Sequence, residues 1–289
     1  MSAVVLERAP EAGAWRRFSR NRTAMIGLAI VVLVLLAALL APWISPYPSH
    51  VGAVVNFRAR HQPPSLQFWF GTDNVGRDIF TRVLFGYRVS LILAVTVLGL
   101  AVPVGVVLGL VAGYYGGWIE TLVMRLNDIA LAIPPLVMAL AVTTVLTPSL
   151  LHAMLAIALL WWTWHTRLIY SIVRTLRQQE FVEAARTLGA SDFHILFREL
   201  LPNCASAILV KTSMDFGFVI LVGAALSYLG LGVQPPTPDL GTMVAGGADF
   251  LPDRWWESLF PGAAILFVAL GFNLLGDGLR DLYDVESLR

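Results

Sequence analysis

The sequence predicts an all-α integral membrane protein with six transmembrane helices. Of its 289 residues, 57% are hydrophobic and only 13% are charged, whereas roughly a quarter of the residues of a soluble domain are charged. Six apolar stretches are also long enough to cross about 30 Å of hydrocarbon at about 1.5 Å per residue. A single soluble core could not cover this much apolar surface, so the composition fits a lipid environment.

The predicted spans, in chain order, are 24–44, 90–112, 127–147, 150–167, 208–230 and 260–279. The first is too long for the apolar region of a signal peptide and ends in an aromatic Ala41-Pro42-Trp43, not in a small-residue cleavage site. Pro134-Pro135 lies inside the third stretch, and membrane helices tolerate proline because neighbouring groups satisfy the freed backbone.

The arginines predict the orientation. Five of them lie in the N-terminal tail and five more in 167–205, whereas the loop 231–259 has one arginine beside Asp239, Asp249 and two other acidic residues. The positive-inside rule then places both termini and the 167–205 segment in the cytoplasm of a multi-pass protein of the cell membrane. The loop 45–89 also holds five arginines, but long loops are translocated largely regardless of charge.

This topology divides the chain into three parts. Residues 1–23 form a cytoplasmic N-terminal tail, 24–89 contain the first transmembrane helix and an outer loop, and 90–289 form a five-helix core with a cytoplasmic loop at 174–205.

The composition also excludes several functions. A net charge of +1 without a basic, aromatic-rich stripe does not indicate nucleic-acid binding. Cys204 is the only cysteine, and the five histidines show no metal-ligand spacing. Lys211 is the only lysine and follows Val210, so the chain has no P-loop. We therefore expect a non-catalytic chain that binds no cofactor of its own.

Residues 174–205 predict a helix, a glycine stop and a second helix. Good helix formers run to Leu188, Gly189 can adopt the left-handed conformation that ends a helix, and Ser191 or Asp192 can cap the next one. Pro202 would then mark the start of the fifth span. The pattern places four apolar residues on one helix face: Phe181, Val182, Ala185 and Leu188. On physical grounds alone, the pair could receive a partner protein or lie on the lipid headgroups.

The spacing within this segment resembles the EAA loop of binding-protein-dependent ABC transporter permeases. The matching residues are Glu183, Ala184, Ala185, Gly189, Ala190 and, thirteen positions after Gly189, Pro202. In that family the loop forms the coupling helix that sits in a cleft of the ATPase subunit. The resemblance therefore implies that these six residues form the contact with an ATPase.

A second motif resembles the outer loop of the dipeptide, oligopeptide and nickel permeases. It consists of Gly71, Thr72, Asp73, Gly76, Arg77 and Asp78. The segments 226–238 and 273–281 are similar to that family as well, so the resemblance covers roughly 20–289 and fits the C-type member of a permease pair. Thr72, Asp73 and Asp78 could contact a ligand, or they could cap turns and a short interfacial helix.

The resemblance implies the fold of a type I importer permease and a set of partners. These are a homologous permease subunit, two cytoplasmic ATPases that hold ATP and Mg, an extracytoplasmic solute-binding protein and the lipid bilayer. The implied substrates are di- or oligopeptides, with nickel chelates or other small solutes as the alternative. A different class, a secondary transporter working alone, would show inverted repeats or charged pathway residues, and neither is clear.

Lys211 and Asp215 are four residues apart on the predicted fifth span. We expect them to neutralise each other near the cytoplasmic edge, although an ionisable pair in a membrane is also a functional candidate. Trp161, Trp162 and Trp164 are expected to be packing and interface residues rather than a ligand cage.

Overall fold

The computed structural model describes residues 12–287, and this part of the chain is helical without a β-strand. Its helices are α1 (Ala12–Arg20), α2 (Arg22–Ile44), α3 (Ile79–Tyr115), α4 (Gly117–Leu131), α5 (Pro135–Val145), α6 (Leu150–Leu176), α7 (Glu180–Thr187), α8 (Asp192–His194), α9 (Leu201–Tyr228), α10 (Leu240–Ala248) and α11 (Trp256–Ser287). Residues 1–11 of the predicted N-terminal tail lie outside the described residues.

The described residues contain four helices that are long and apolar enough to cross a membrane. They are Arg22–Ile44, Ile79–Tyr115, Asp192–Tyr228 and Trp256–Tyr283, and the pair α4 and α5 is a bent fifth candidate. The prediction of an all-helical membrane protein is therefore confirmed. The predicted span 150–167 lies in α6, whose second half carries tryptophans, a histidine and arginines, so the count of six spans stays a prediction.

The second predicted span is only the middle of a longer helix. α3 begins at Ile79, eleven residues before the predicted start at 90, because the Asp78 carboxylate accepts a hydrogen bond from the Thr81 N–H and caps the helix. Residues 79–89 are therefore helical and not part of the outer loop. Hydropathy marks where a helix is apolar, and it does not mark where the helix begins.

The third predicted span, 127–147, is broken. α4 ends at Leu131 and α5 starts at Pro135, and the two helices are bent by 82°. Pro134 and Pro135 supply no backbone N–H, and each disfavours the helical conformation of the residue before it, so one straight helix cannot pass through them.

Pro202 marks the start of α9, as predicted, but the chain before it is helical as well. α8, a π-helical segment over Ile195–Leu200 and α9 form one continuous rod, Asp192–Tyr228. Pro202 lies in the first turn of α9, directly after the wider π turn. The π segment changes the hydrogen-bonding pattern at the position where a proline would otherwise disrupt an α-helix.

Three helix pairs form the main contacts of the bundle. α3 packs along α6, and α11 packs against both α2 and α9. The contact between α3 and α6 is close at Gly105, where a Cβ atom would stand 2.4 Å from the Trp162 carbonyl oxygen. Small residues permit this approach of two backbones in membrane proteins. More than half of the buried hydrophobic side chains form one large cluster, and a smaller cluster lies under the 174–205 loop.

The start of α2 and the end of α11 meet at the end of the bundle that carries the 174–205 loop. The Asn21 side-chain amide donates to Asp281 at 2.9 Å, so the start of α2 adjoins the end of α11. Arg280 also lines a cavity together with Leu168 and Ser206, which lie near that loop. At the opposite end, the Arg82 guanidinium donates to the Pro236 carbonyl oxygen at 3.2 Å.

Candidate functional site

The predicted glycine stop in the 174–205 loop is confirmed. Gly189 has a φ of +81°, and two backbone hydrogen bonds close the end of α7: Gly189 N–H to Arg186 O at 2.9 Å and Ala190 N–H to Ala185 O at 3.0 Å. This pair of bonds is the Schellman motif, which requires a residue that tolerates positive φ. The chain therefore turns sharply after α7, and the turn itself faces open space.

The next helix is capped by Ser191, whose hydroxyl accepts from the His194 N–H at 3.3 Å. Asp192, the alternative cap, has another role, since its carboxylate accepts a hydrogen bond of 2.6 Å from the Tyr114 hydroxyl at the end of α3. The Arg186 guanidinium lies 5.0 Å from the centre of the Tyr114 ring. Tyr114 therefore ties both halves of the loop to the membrane helices.

Val182 is the apolar anchor of the loop. Its side chain is fully buried in the smaller cluster, together with Ile195 and Leu200. Phe181 and Leu188 face outward, and Leu188 is 87% exposed. The four apolar residues are therefore not covered alike: Val182 is buried and Ala185 half-buried, whereas Phe181 and Leu188 are exposed. One apolar side of α7 holds the loop in place, and the other stays uncovered.

The predicted contact residues do not form one patch. Glu183, Ala184 and Gly189 are exposed, while Ala185 and Ala190 are partly covered. Pro202 is exposed as well, but it lies ten residues, or about 15 Å, along the rod from Asp192. The surface around the turn also includes Phe193, which is 72% exposed and which the sequence pattern did not single out.

The outer-loop motif forms a closed turn. One carboxylate oxygen of Asp73 accepts from the backbone N–H groups of Val75 and Arg77 at 3.0 and 2.9 Å, and the other pairs with the Arg77 side chain at 2.7 Å. Gly76 completes the turn with a φ of +85°. Asp78 caps α3 through the Thr81 N–H. The Asp73 and Asp78 carboxylates therefore hydrogen-bond as caps of a turn and of a helix, which is one of the two roles that the sequence left open.

Thr72 joins this turn to the rest of the outer surface. It is fully buried, donates to the Ala59 carbonyl oxygen at 2.5 Å and accepts from the Gln62 N–H at 2.8 Å. Its own carbonyl oxygen accepts from the Trp256 indole at 3.4 Å. His61 and Glu257 form a buried pair at 2.5 Å nearby. The motif therefore fixes the 45–78 loop against the start of α11.

His50 connects the motif to α3. Its Nδ1 accepts from the Asp78 N–H at 2.9 Å, and its carbonyl oxygen accepts from Arg82 at 3.1 Å. Burial lowers the pKa of His50, which favours the neutral ring that can accept this bond. Burial also raises the pKa of Asp78. A small cavity of about 150 Å³ is lined by Asp73, Arg77 and Glu257, among others, so a polar recess remains between the loops.

Inside the bundle, the structure confirms the predicted pairing of Lys211 and Asp215 and adds a third group. The Lys211 ammonium donates to one carboxylate oxygen of Asp215, and the other oxygen lies 3.7 Å from Nε2 of His165 on α6. The pair is not at the start of its helix, because the rod begins at Asp192 and not at 208. Lys211 lies about 28 Å along it.

His165 was absent from the predicted pair because it is 46 residues away from Lys211 in the chain. The available signal was a histidine in the middle of a mostly apolar helix, since ionisable groups inside a membrane usually face a partner or a pathway. Its ring is fully buried.

Comparison with known protein families identifies the family to which this chain belongs. A family model described as the binding-protein-dependent transport system inner membrane component matches residues 105–285. The chain belongs to this permease family. A second model, the N-terminal transmembrane domain of oligopeptide transport permease C, matches residues 12–64. The EAA-type loop and the first span of the permease therefore fall in regions matched by these two models.

Relatives match nearly the whole permease. It is 42% identical over 271 residues to a dipeptide transport system permease protein of Alkalihalophilus pseudofirmus, covering 94% of this chain and 88% of the relative. It is 39% identical over 278 residues to a di/tripeptide transport system permease protein of Pseudomonas aeruginosa, covering 93% and 90%. It is 41% identical over 270 residues to a glutathione transport system permease protein of Escherichia coli, covering 93% and 88%.

Proposed function

We propose that this chain is the transmembrane subunit of an ATP-driven importer of di- or oligopeptides, coupling ATP hydrolysis on partner subunits to solute movement. The observation that carries the proposal is the 174–205 loop, which is anchored to the membrane helices on one side and uncovered on the other. The family membership and the peptide names of the relatives support the transport class and the substrate class.

In the proposed topology the chain crosses the membrane six times. The bent pair α4 and α5 supplies the third crossing and α6 the fourth, since 27 residues reach about 40 Å. The start of α2 and the end of α11 lie at the same end of the bundle as the 174–205 loop. The arginines of that end place it in the cytoplasm, together with both termini.

The proposed partners follow from the two ends of the bundle. Two ATPase subunits that hold ATP and Mg dock on the 174–205 loop, a homologous permease completes the pathway, and a solute-binding protein docks on the outer loops. In this proposal the nucleotide sites belong to the ATPase subunits, because a P-loop needs a lysine and the only lysine of this chain, Lys211, lies inside the bundle. It transmits movement and does not generate it.

The loop has direct connections to three membrane helices. Tyr114 ties it to α3 through Asp192, and the chain itself joins the end of α6 to α7. Val182 seats α7 against the π-helical segment Ile195–Leu200 of the rod, which continues into α9. When the ATPases close, they displace the loop and these helices move with it. The bundle then alternates between two arrangements, one open to each side of the membrane.

Two variants test this coupling. Gly189→Asp adds bulk and charge at an exposed turn, and Glu183→Lys reverses an exposed charge. We expect both to reach the membrane at normal abundance, since neither residue is buried, and to lose ATPase association or peptide-stimulated ATP hydrolysis. The measurements are pull-down of the ATPase subunits and the ATPase rate of the complex in vesicles.

Gly230→Asp is the matched control. Gly230 also has a positive φ, of +79°, and open space around it, but it lies at the opposite end of α9. We expect normal ATPase association from this variant. Normal coupling in Gly189→Asp and Glu183→Lys would contradict the proposal, as would equal losses in all three variants.

A further inference from the structure

A cavity of about 240 Å³ surrounds the ion pair inside the bundle. It is lined by Trp161, Trp164, Lys211, Asp215 and Phe218. The Lys211 Nζ atom lies 5.9 Å from the centre of the Trp164 ring. The cavity thus combines apolar aromatic walls with one ion pair, of which the ammonium is the more exposed partner. An accessible ammonium between apolar walls suits a small solute with an anionic end.

A second cavity, of about 490 Å³, lies toward the 174–205 end of the bundle. Leu168, Ser206, Arg280 and Tyr283 line it, and so does Lys211. Lys211 therefore stands where the two cavities adjoin. Lys211 and Arg280 are the cationic residues among the described residues that line this second cavity.

The polar groups around Lys211 hold it in position. Asp215 has a side chain only 3% exposed and Lys211 one 30% exposed, so the carboxylate is enclosed while the ammonium reaches the cavities. One Asp215 oxygen accepts from Lys211, and the other has no hydrogen bond although His165 faces it. Trp161 is 4% exposed, and its indole N–H also has no hydrogen-bond partner. Buried polar groups without partners are uncommon unless a ligand or water completes them.

We propose that Lys211 binds the terminal carboxylate of the transported peptide as the peptide passes between the two cavities. Asp215 and His165 are positioning residues, which hold the ammonium at the wall of the pathway. A carboxylate is present in every linear peptide, so this contact needs no particular side chain. The indole and phenyl walls accommodate variable side chains by apolar contact. The inference rests on the proposed peptide transport.

The experiment compares two substrates in the assembled transporter, reconstituted in vesicles with its partner subunits and binding protein. One is a radiolabelled dipeptide with a free carboxylate, and the other is the same dipeptide as its C-terminal amide. ATP-driven uptake of both is measured for the wild type, Lys211→Met and Lys211→Arg. Any preference of the binding protein affects all three complexes equally, so the informative quantity is the change in the acid-to-amide ratio.

We expect Lys211→Met to lower uptake of the free-acid peptide by about tenfold or more, because it removes a charge-assisted hydrogen bond. Uptake of the amide should change by less than about twofold, and Lys211→Arg should keep the wild-type ratio. Equal losses for both substrates would assign Lys211 a structural role only and overturn the inference. Absence of peptide uptake by the wild type would instead contradict the proposed function.

A double variant keeps the inference testable if Lys211→Met folds poorly with Asp215 left unpaired. Changing both residues to leucine removes both charges of the pair and leaves no enclosed carboxylate unpaired, so Lys211→Leu/Asp215→Leu should reach the membrane better than either single variant. We expect this double variant to take up the amide and still to discriminate against the free acid. Restored uptake of the free acid would show that the pair is needed only for folding.

Discussion

The two ends of the bundle use the same local devices in different surroundings. Gly76 in the 45–78 loop and Gly189 in the 174–205 loop both have positive φ, and both close a turn next to a helix cap. A Cβ atom on Gly76 would lie 2.0 Å from the Asn56 carbonyl oxygen, whereas one on Gly189 would meet nothing within 4 Å. One glycine is enclosed by its own chain, and the other leaves room for a partner.

The charged residues differ in the same way. In the 45–78 loop, Asp73 and Arg77 pair with each other at 2.7 Å and are largely covered. In the 174–205 loop, Glu183 and Glu180 are exposed. A turn motif therefore does not show by itself whether it stabilises the fold or binds another molecule, and burial is what distinguishes the two roles.

The largest expected effect on stability comes from alanine at these two glycines. Gly76→Ala should destabilise the protein by roughly 2–5 kcal/mol, from the strained φ together with the backbone clash. Gly189→Ala should cost about 1–2 kcal/mol, because only the strain applies. Thermal unfolding of the purified protein in detergent measures both values under the same conditions.

Equal destabilisation by the two alanines would contradict the contrast between the ends. The outer-end glycine Gly230 supplies a control at a similar φ, because its surroundings are open as well. We expect Gly230→Ala to match Gly189→Ala, since space and not location decides the cost.

The next effect concerns the anchor of the 174–205 loop. Val182→Ala removes two buried methyl groups and should weaken the attachment of α7 by roughly 2 kcal/mol. Hydrogen exchange of the amides in 180–190 should then be faster by about tenfold or more, since α7 would detach more often.

Phe181→Ala is the control for that experiment, because Phe181 is the neighbouring residue and its side chain points outward. Exchange in 180–190 should be close to that of the wild type. If both variants accelerated exchange equally, Val182 would not be the anchor of the loop.

The smallest expected effect is on chemical labelling at the outer end. Asp249 is exposed, whereas Asp239 is 4% exposed and caps α10 by accepting from the Thr242 N–H at 3.0 Å. Burial raises the pKa of Asp239, in keeping with its enclosed position. Asp249→Cys should react from outside the cell with a maleimide that does not cross membranes, and Asp239→Cys should react several-fold more slowly.

The native Cys204 is fully buried, so it should contribute little background to this labelling. Labelling of Asp249→Cys only after the membrane is opened would reverse the proposed orientation. Equal labelling at both positions would contradict the buried cap at Asp239.

The features that were predictable from the sequence are local. Gly189 and Ser191 end one helix and begin the next through contacts within a few residues, and glycine and serine have known preferences for these positions. The interior of each long span was equally visible, because an uninterrupted apolar run of that length is typical of a helix that crosses a membrane.

The features that the sequence did not reveal depend on contacts between distant residues or on polar helix ends. The bond from Tyr114 to Asp192 joins positions 78 residues apart, and His165 meets Asp215 only after α6 and α9 pack together. α3 and the rod both begin before the predicted spans, in stretches where polar and apolar residues are mixed. Hydropathy does not indicate a helix in such stretches. Pro202 lies in the first turn of α9, as predicted, but the π turn that precedes it and keeps the rod continuous has no clear sequence pattern.

The continuity of the rod from Asp192 to Tyr228 has a mechanical consequence. A stiff lever converts a small rotation at one end into a larger displacement along its length. A point about 28 Å from the pivot, the distance from Asp192 to Lys211 along the helix, moves by about 5 Å for a rotation of about 10°. That displacement exceeds the length of a hydrogen bond. Modest rocking at the 174–205 end is therefore enough to make or release a contact deep inside the bundle.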